Sequence, residues 1–366
     1  MMEIVAIVVG VALVVYTFLS AARTFVLPRS SAEMLTRLVF TLMRKLFRLA
    51  VKPLSTYEQR DGVMAMYAPL SLLALVPAWL FATTIGYMLI FWGMGIRGWR
   101  EAFVFSGSSI LTLGFATADT LAQTIVAFTE ATVGLMLVAM LISYLPTMYS
   151  AFARREAAVS LLEIRAGSPP TAPELVWRLY SLRTTLNTYA YWESWEEWFT
   201  DLDESHTSLA ALVFFRSPRA PMSWVVAAGT VIDGAALMLS CIDDEEQTPH
   251  PALVLRAGIE ALRHIADFFR VSYNPDPHFP EDPIAISRDD FDAAWNRLQS
   301  QGVPLKDDPD LAWQNFAGWR VNYDSVLVAL ARLTMAPDVA WLSDVTFTPP
   351  DPASGQTGGE LRKVAR

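Results

Sequence analysis

The chain has 366 residues, is 53% apolar and carries a formal net charge of −9, with a mean hydropathy of +0.32. An acidic chain lacks the basic footprint that nucleic-acid binding needs, and a single cysteine, Cys241, excludes an intrachain disulfide. The charge is unevenly placed: residues 1–166 hold 13 Lys and Arg against 9 Asp and Glu, so the acidic excess lies beyond them. A basic, apolar first half joined to an acidic second half reads as a membrane part followed by a soluble part, and a lone thiol suits a cytoplasmic location for the latter.

Residues 4–22 contain no charged side chain. At about 1.5 Å per residue they just cross a hydrocarbon core of about 30 Å. A signal peptide cleaved after Ser20-Ala21-Ala22 is the competing reading, but it wants Lys or Arg ahead of the apolar run, and only Glu3 precedes this one. Residues 1–28 therefore read as a retained transmembrane anchor.

Residues 29–62 form a basic segment. Within it, over residues 31–51, Leu38, Phe40, Leu42, Phe47 and Leu49 interleave with Arg37, Arg44, Lys45 and Arg48. The spacing predicts an amphipathic helix lying on the inner leaflet, with packing against the soluble domain as the alternative. A voltage sensor would place basic residues at regular third positions inside an apolar span, which is not the pattern here.

Residues 63–96 are uncharged and longer than one span requires, which predicts tilt or an extra turn. Pro69 and Pro77 are candidate kinks, and Trp79, Tyr87, Trp92 and Trp99 supply aromatic residues, the later ones suited to an interface. A third span, residues 121–150, holds Glu130 as its only charge and ends in Tyr144, Pro146 and Tyr149, just before Arg154 and Arg155. The basic residues between the first and second spans, and Arg154, Arg155 and Arg165 after the third, place both segments in the cytoplasm. The N-terminus and the link between the second and third spans are then outside, and the expected location is the inner membrane of the cell.

That external link runs Trp99-Arg-Glu-Ala-Phe-Val-Phe-Ser-Gly-Ser-Ser-Ile-Leu-Thr-Leu-Gly-Phe-Ala-Thr-Ala-Asp119. An apolar run too short to span is followed by a turn-rich stretch with Gly114. Such backbone survives at membrane depth only where protein buries it or where it lines a water-filled cavity. The stretch resembles the pore helix and selectivity filter of the potassium channel family, whose filter reads Thr-x-Gly-Tyr/Phe-Gly-Asp. Thr112, Leu113, Gly114 and Phe115 match residue for residue, and Phe103, Ser106 and Ser109 sit in the preceding helix much as in that family. Glu130-Ala-Thr-Val-Gly134 resembles the start of the family's inner helix, with Gly134 at the place of its bending glycine. The resemblance covers residues 63–150 and is closest to bacterial channels with two helices per pore.

The resemblance implies that carbonyls of Thr112, Leu113, Gly114, Phe115 and Ala116 replace the water shell of a monovalent cation, that the Thr112 hydroxyl completes the innermost ring, and that Phe115 packs outward. It also implies a homotetramer, since one loop supplies a quarter of the ring. Two departures alter the outer filter. Ala116 replaces the second glycine, where a Cβ disfavours a positive φ by about 1–2 kcal/mol. Thr117 replaces the aspartate, leaving Asp119 as outer-mouth charge. Glu130 faces the filter or pore-helix backbone in this analogy, and an interfacial position is the alternative. Gly134, Val138, Leu141 and Leu145 share one helical face, suited either to lining the inner pore or to subunit packing.

Beyond Ala166-Gly-Ser-Pro-Pro170 the pattern predicts helices at residues 172–188, 192–215, 222–241, 251–271, 288–301 and 311–335, and a disordered tail over 346–366. No Gly-x-Gly-x-x-Gly fingerprint of a nucleotide-binding domain is present. Residues 222–242 are apolar enough for a fourth span, but Asp233 at their centre argues for a buried helix of a soluble bundle. Asp233, His206, His264 and Asp267 are the candidate ligand set. Only His264 and Asp267 share a helical face, so a hydrogen-bonded core set is expected and no metal. Trp192, Trp195 and Trp198 fit core or membrane-surface packing. There is no nucleophile–base pair or phosphate loop, and an enzyme is not expected.

The expectation is an all-α membrane protein with three transmembrane helices and one re-entrant pore loop (pore domain 63–150), plus a helical cytoplasmic domain over 151–345. It assembles as a homotetramer in a lipid bilayer, passes potassium or another monovalent cation, and uses no cofactor or nucleic acid. The alternative is a non-conducting membrane sensor or binding protein that keeps the pore fold as an assembly scaffold.

Overall fold

A computed structural model describes residues 1–25, 34–182, 188–243 and 249–337. Among these the regular structure is helical, and the only extended pairing is an isolated bridge between Ile242 and Leu305. The expected disordered tail and the first three residues of the expected amphipathic helix lie outside the described residues.

The expected N-terminal span forms α1 (Met2–Phe25). It lies along α4 (Tyr67–Gly93), the second apolar span. Glycine makes the approach possible: a Cβ on Gly10 would lie 2.5 Å from the Gly86 carbonyl oxygen, and one on Gly93 would lie 2.6 Å from the Glu3 carbonyl oxygen. Small residues at such crossings let apolar helices touch backbone to backbone. Between them come α2 (Met34–Val51) and α3 (Tyr57–Ala65), the latter capped by Thr56, whose side chain accepts from the Gln59 N–H. Pro69 falls in the first turn of α4, where N–H groups have no intrahelical partner, and α4 continues through Pro77.

The amphipathic segment forms α2. Leu38, Leu42, Leu46 and Leu49 form an exposed apolar row. On other faces the Thr36 and Thr24 hydroxyls meet at 2.9 Å, the Tyr67 hydroxyl donates to the Phe40 carbonyl, and Arg44 donates to the Leu333 carbonyl.

The short α5 (Trp99–Ile110) precedes α6 (Leu121–Ala166), which has 46 residues. At about 1.5 Å per residue α6 is about 69 Å long, more than twice a hydrocarbon core. The expected domain boundary at residue 150 therefore falls inside a continuous helix. The helix ends at the expected break, where Gly167 takes φ 87° and its N–H caps the Glu163 carbonyl.

The C-terminal half comprises α7 (Ala172–Ser181), α8 (Thr188–Ser208), a 3-10 turn (Ala210–Phe214), α9 (Trp224–Cys241), α10 (His250–Phe268), α11 (Arg288–Ser300), α12 (Pro309–Arg320) and α13 (Asp324–Thr334). Among the described residues four helical segments are long and apolar enough to cross a membrane: α1, α3 with α4, α6 and α9. In α9 every residue but Met238 and Leu239 is buried, with α7, α10, α12 and α13 packed around it. Gly229 and Gly234 admit the side chains of Leu327 and Leu175, each 2.9 Å from where a Cβ would stand. Asp233 pairs with Arg320 at 2.5 Å and accepts from the Tyr323 hydroxyl at 2.7 Å.

That pairing explains a difference from the expected helix at 311–335. The chain forms two helices, α12 and α13, and the turn between them brings Arg320 and Tyr323 back onto α9. Trp192, Trp195 and Trp198 are core residues, with Trp195 and Trp198 edge to face at 5.0 Å. The C-terminal half grips α3 through Arg216, which pairs with Asp61 and donates to the carbonyls of Thr334 and Met335 at 2.8 and 2.9 Å.

Candidate functional site: the loop between α5 and α6

The sequence of α5 is apolar on one side and rich in serine near its end. Trp99 stacks on Trp92 with ring planes 4° apart, holding the turn out of α4. Ala102, Phe105, Ser106 and Ile110 face inward, with Phe105 edge to face on Phe91 at 4.6 Å. With 12 residues α5 extends about 18 Å, too short for a crossing.

At the end of α5 the backbone changes hand. Thr112 has φ 54° and Gly114 φ 71°, while Leu113 between them is not left-handed. The N–H groups turn back onto the helix: Thr112 donates to the Ser109 carbonyl at 3.0 Å, and Leu113 and Gly114 donate to the Ser108 carbonyl at 2.8 and 3.4 Å. The Ala116 N–H donates to the Ser108 hydroxyl at 3.1 Å. Among the described residues no hydrogen bond ends on the carbonyls of residues 112–116. Four of the five N–H groups of residues 112–116, all but that of Phe115, are thus tied inward, and the acceptors are unclaimed. Leu113 and Phe115 are exposed, Phe115 to 65%, as are Thr117 and Asp119. The Asp119 N–H is held by Gln123 Oε1 at 3.1 Å.

Ala116 is not among the left-handed residues. The strain expected of an alanine at that position is therefore absent, and Thr112 carries a left-handed conformation instead. Ser108 organises the loop through both its carbonyl and its hydroxyl, a role that one member of the run Ser106-Gly-Ser-Ser109 does not announce in sequence. Gln123 is likewise visible only once the loop is folded against the first turn of α6.

Behind the loop lies Glu130, fully buried on α6. The Ser106 hydroxyl donates to Glu130 Oε1 and lies 3.3 Å from the Thr84 carbonyl oxygen. Among the described residues Glu130 Oε2 has no partner. The Glu130 carboxyl therefore faces α5 and not solvent. Ser106→Ala strips the remaining partner from a buried carboxyl, and a drop in stability of about 1–3 kcal/mol is expected, read as a lowered melting temperature in detergent. An unchanged melting temperature would remove this contact from the account of the loop.

One turn further on, Gly134 packs against the end of α5. A Cβ there would lie 2.6 Å from the Ile110 carbonyl oxygen. Here glycine serves close approach between two helices, and α6 runs through it without interruption.

The four candidate ligands of the C-terminal half are not brought together. Asp233 is taken by Arg320, and His264 Nδ1 meets Asp203 at 2.8 Å on the surface. Asp267 interacts with Tyr273. His206 lies elsewhere in the core, with Nδ1 3.1 Å from the Ser205 hydroxyl and Nε2 3.3 Å from Arg155 Nη1. Among the described residues no group of three metal-binding side chains forms. The unforeseen feature is Arg155, a buried guanidinium on α6 that pairs with Glu156 at 2.7 Å. It also donates to the carbonyls of Leu212 and Phe215, at 2.9 and 2.7 Å.

Burial, reinforced by the Arg155 charge, pushes the His206 imidazole well below its ordinary 6.5. Folded His206 stays neutral, whereas the unfolded chain takes up a proton there below about pH 6.5. The unfolded state then binds more protons, so this contribution to stability is complete above that pH and is lost as pH falls. Below about pH 6 the wild type should lose up to about 1.4 kcal/mol per pH unit more than His206→Gln, as denaturant titrations at several pH values would read. Parallel pH profiles for the two proteins would contradict a neutral buried imidazole.

Comparison with known protein families, curated proteins and solved structures finds no match to this chain.

Proposed function

We propose that the chain is one subunit of a homotetrameric, potassium-channel-like cation channel in the inner membrane, with the ion path lined by residues 112–116. The observation that carries this reading is the loop after α5, where the N–H groups of Thr112, Leu113, Gly114 and Ala116 bond inward and, among the described residues, the carbonyls of residues 112–116 are unclaimed. Carbonyl rings of this kind substitute for the water around a cation. The C-terminal end of α5 abuts the loop and adds the negative pole of a helix dipole.

One loop coordinates a cation from one side only, so closed rotational assembly is required. The exposed apolar residues Leu113, Phe115, Leu135 and Ile142 suit burial against further copies or lipid. In this reading α1, α4 and α6 cross the bilayer, α5 enters and returns, the N-terminus is outside, and the acidic C-terminal helices are cytoplasmic. A second reading, a non-conducting sensor built on the same scaffold, draws on Ala116 and Thr117, where the left-handed residues at 112 and 114 are not followed by a third.

The test is flux from potassium-loaded liposomes containing the purified full chain, compared with sodium-loaded ones, beside a mass measurement of the assembly. Potassium efflux from a tetramer supports the channel. Equal efflux of both ions supports a non-selective pore, and none from a folded tetramer leaves the sensor reading.

A further inference from the structure

A cavity of about 350 Å³ opens where α1, α2, α4 and α6 meet the C-terminal helices. Three arginines line it, Arg37 and Arg44 from α2 and Arg270 just beyond α10, and among the described residues no acidic side chain does. Among the described residues Arg37 and Arg270 form no ion pair. Arg44 spends one N–H on the Leu333 carbonyl and lies 6.0 Å above the Phe214 ring. Hydroxyls of Thr36 and Thr41 stand among these cations, and Phe40, Leu72 and Phe269 supply an apolar wall.

Three guanidinium groups lining one opening give it a positive potential that favours an anion. Burial, with Arg48 nearby, already pushes the Arg44 guanidinium below its ordinary range. Guanidinium forks match the oxygens of phosphate, and several forks around one group suit a multiply charged anion better than a carboxylate.

We propose that this cavity binds the phosphate of an anionic amphiphile, held by Arg37, Arg44 and Arg270, with its apolar part along Phe40 and Leu72. The cavity lies beside the exposed leucine row of α2, and basic pockets between helices at a membrane surface take phosphorylated lipid headgroups. A free phosphate shares the headgroup chemistry but would leave the apolar wall unused. The site is independent of ion conduction and stands whether or not residues 112–116 form a pore.

The test uses the purified full chain in zwitterionic detergent, titrated with dioctanoyl phosphatidic acid, dioctanoyl phosphatidylcholine and inorganic phosphate, with binding read by native mass spectrometry and thermal unfolding. Phosphatidic acid should bind about tenfold or more tighter than phosphatidylcholine, a margin equivalent to about 1.4 kcal/mol. The double change Arg37→Gln with Arg270→Gln should erase that preference. Both side chains are exposed and, among the described residues, hold no other group, so folding should be retained, checked by the melting temperature without lipid. Lys45→Gln with Lys52→Gln removes the same charge from exposed positions outside the cavity lining and should leave the preference intact. Equal loss in that control, or no preference in the wild type, overturns the proposal. Inorganic phosphate that reproduces the full effect, and loses it in the Arg37 and Arg270 variant, overturns the lipid source and leaves a soluble phosphate as the ligand.

Discussion

Replacing Gly114 by valine is expected to abolish potassium flux from liposomes while the chain still folds. Gly114 holds φ 71°, a conformation that costs an L-residue about 1–2 kcal/mol and a β-branched one more. No heavy atom lies within 4 Å of where its Cβ would stand, so the change meets open space and acts on the backbone rather than on packing. The loop should relax away from the left-handed form, and carbonyls that must converge on one axis lose alignment. A fall in flux of at least about tenfold is expected, with the melting temperature little changed. Gly302→Val is the control. Gly302 also has a positive φ, 77°, and open space around it, but sits in the turn after α11. The same backbone penalty there should lower stability slightly and leave flux alone. Flux that survives Gly114→Val would exclude residues 112–116 as the ion path.

Arg320→Leu is expected to destabilise the C-terminal half by about 3–5 kcal/mol, the usual consequence of removing one partner of a buried ion pair. The Arg320 and Asp233 side chains are 0% and 3% exposed, and Arg320 also holds Asp324 at 2.7 Å. Without the guanidinium, two carboxylates remain in the core, helped only by the Tyr323 hydroxyl on Asp233. The Asp233→Leu, Arg320→Leu double variant should recover part of the loss, because one stranded charge is replaced by a side chain that fits an apolar helix. Only part returns, since Asp324 still lacks its partner. Denaturant titration of the three proteins measures the coupling. A loss below about 1 kcal/mol in the single variant would place the pair in solvent and remove α9 from the core.

Much of the architecture is written in local pattern. Uncharged runs marked α1 and α4, and a run interrupted only by the charge of Glu130 marked the first thirty residues of α6, because burying backbone in an apolar medium demands long stretches of apolar side chains. The short run after Trp99 marked α5 as a helix that does not span, and Gly167 marked the end of α6. Asp233 within an otherwise membrane-length run pointed to a protein-buried helix, since a carboxylate needs a partner that another helix can bring. Thr112 and Gly114 drew attention to a loop whose glycine is left-handed in the folded chain.

What tertiary structure decided lies between residues far apart in sequence. Helix periodicity records neighbours three and four positions away, and it is silent about which helix faces meet. Nothing local joins Asp233 to Arg320, 87 positions away, or Arg44 to Leu333, 289 positions away. Gly134 reads as a flexible point in a helix until Ile110 is seen against it. Ser108 is one hydroxyl in a serine-rich turn until two backbone N–H groups settle on its carbonyl. Arg37, Arg44 and Arg270 are surface charges in the sequence, and only the packing of α2 beside the end of α10 gathers them around one cavity. The sequence alone determined which segments are helical and apolar. Folding decided which polar groups share a site, because that depends on the partners that long-range packing brings within hydrogen-bonding distance.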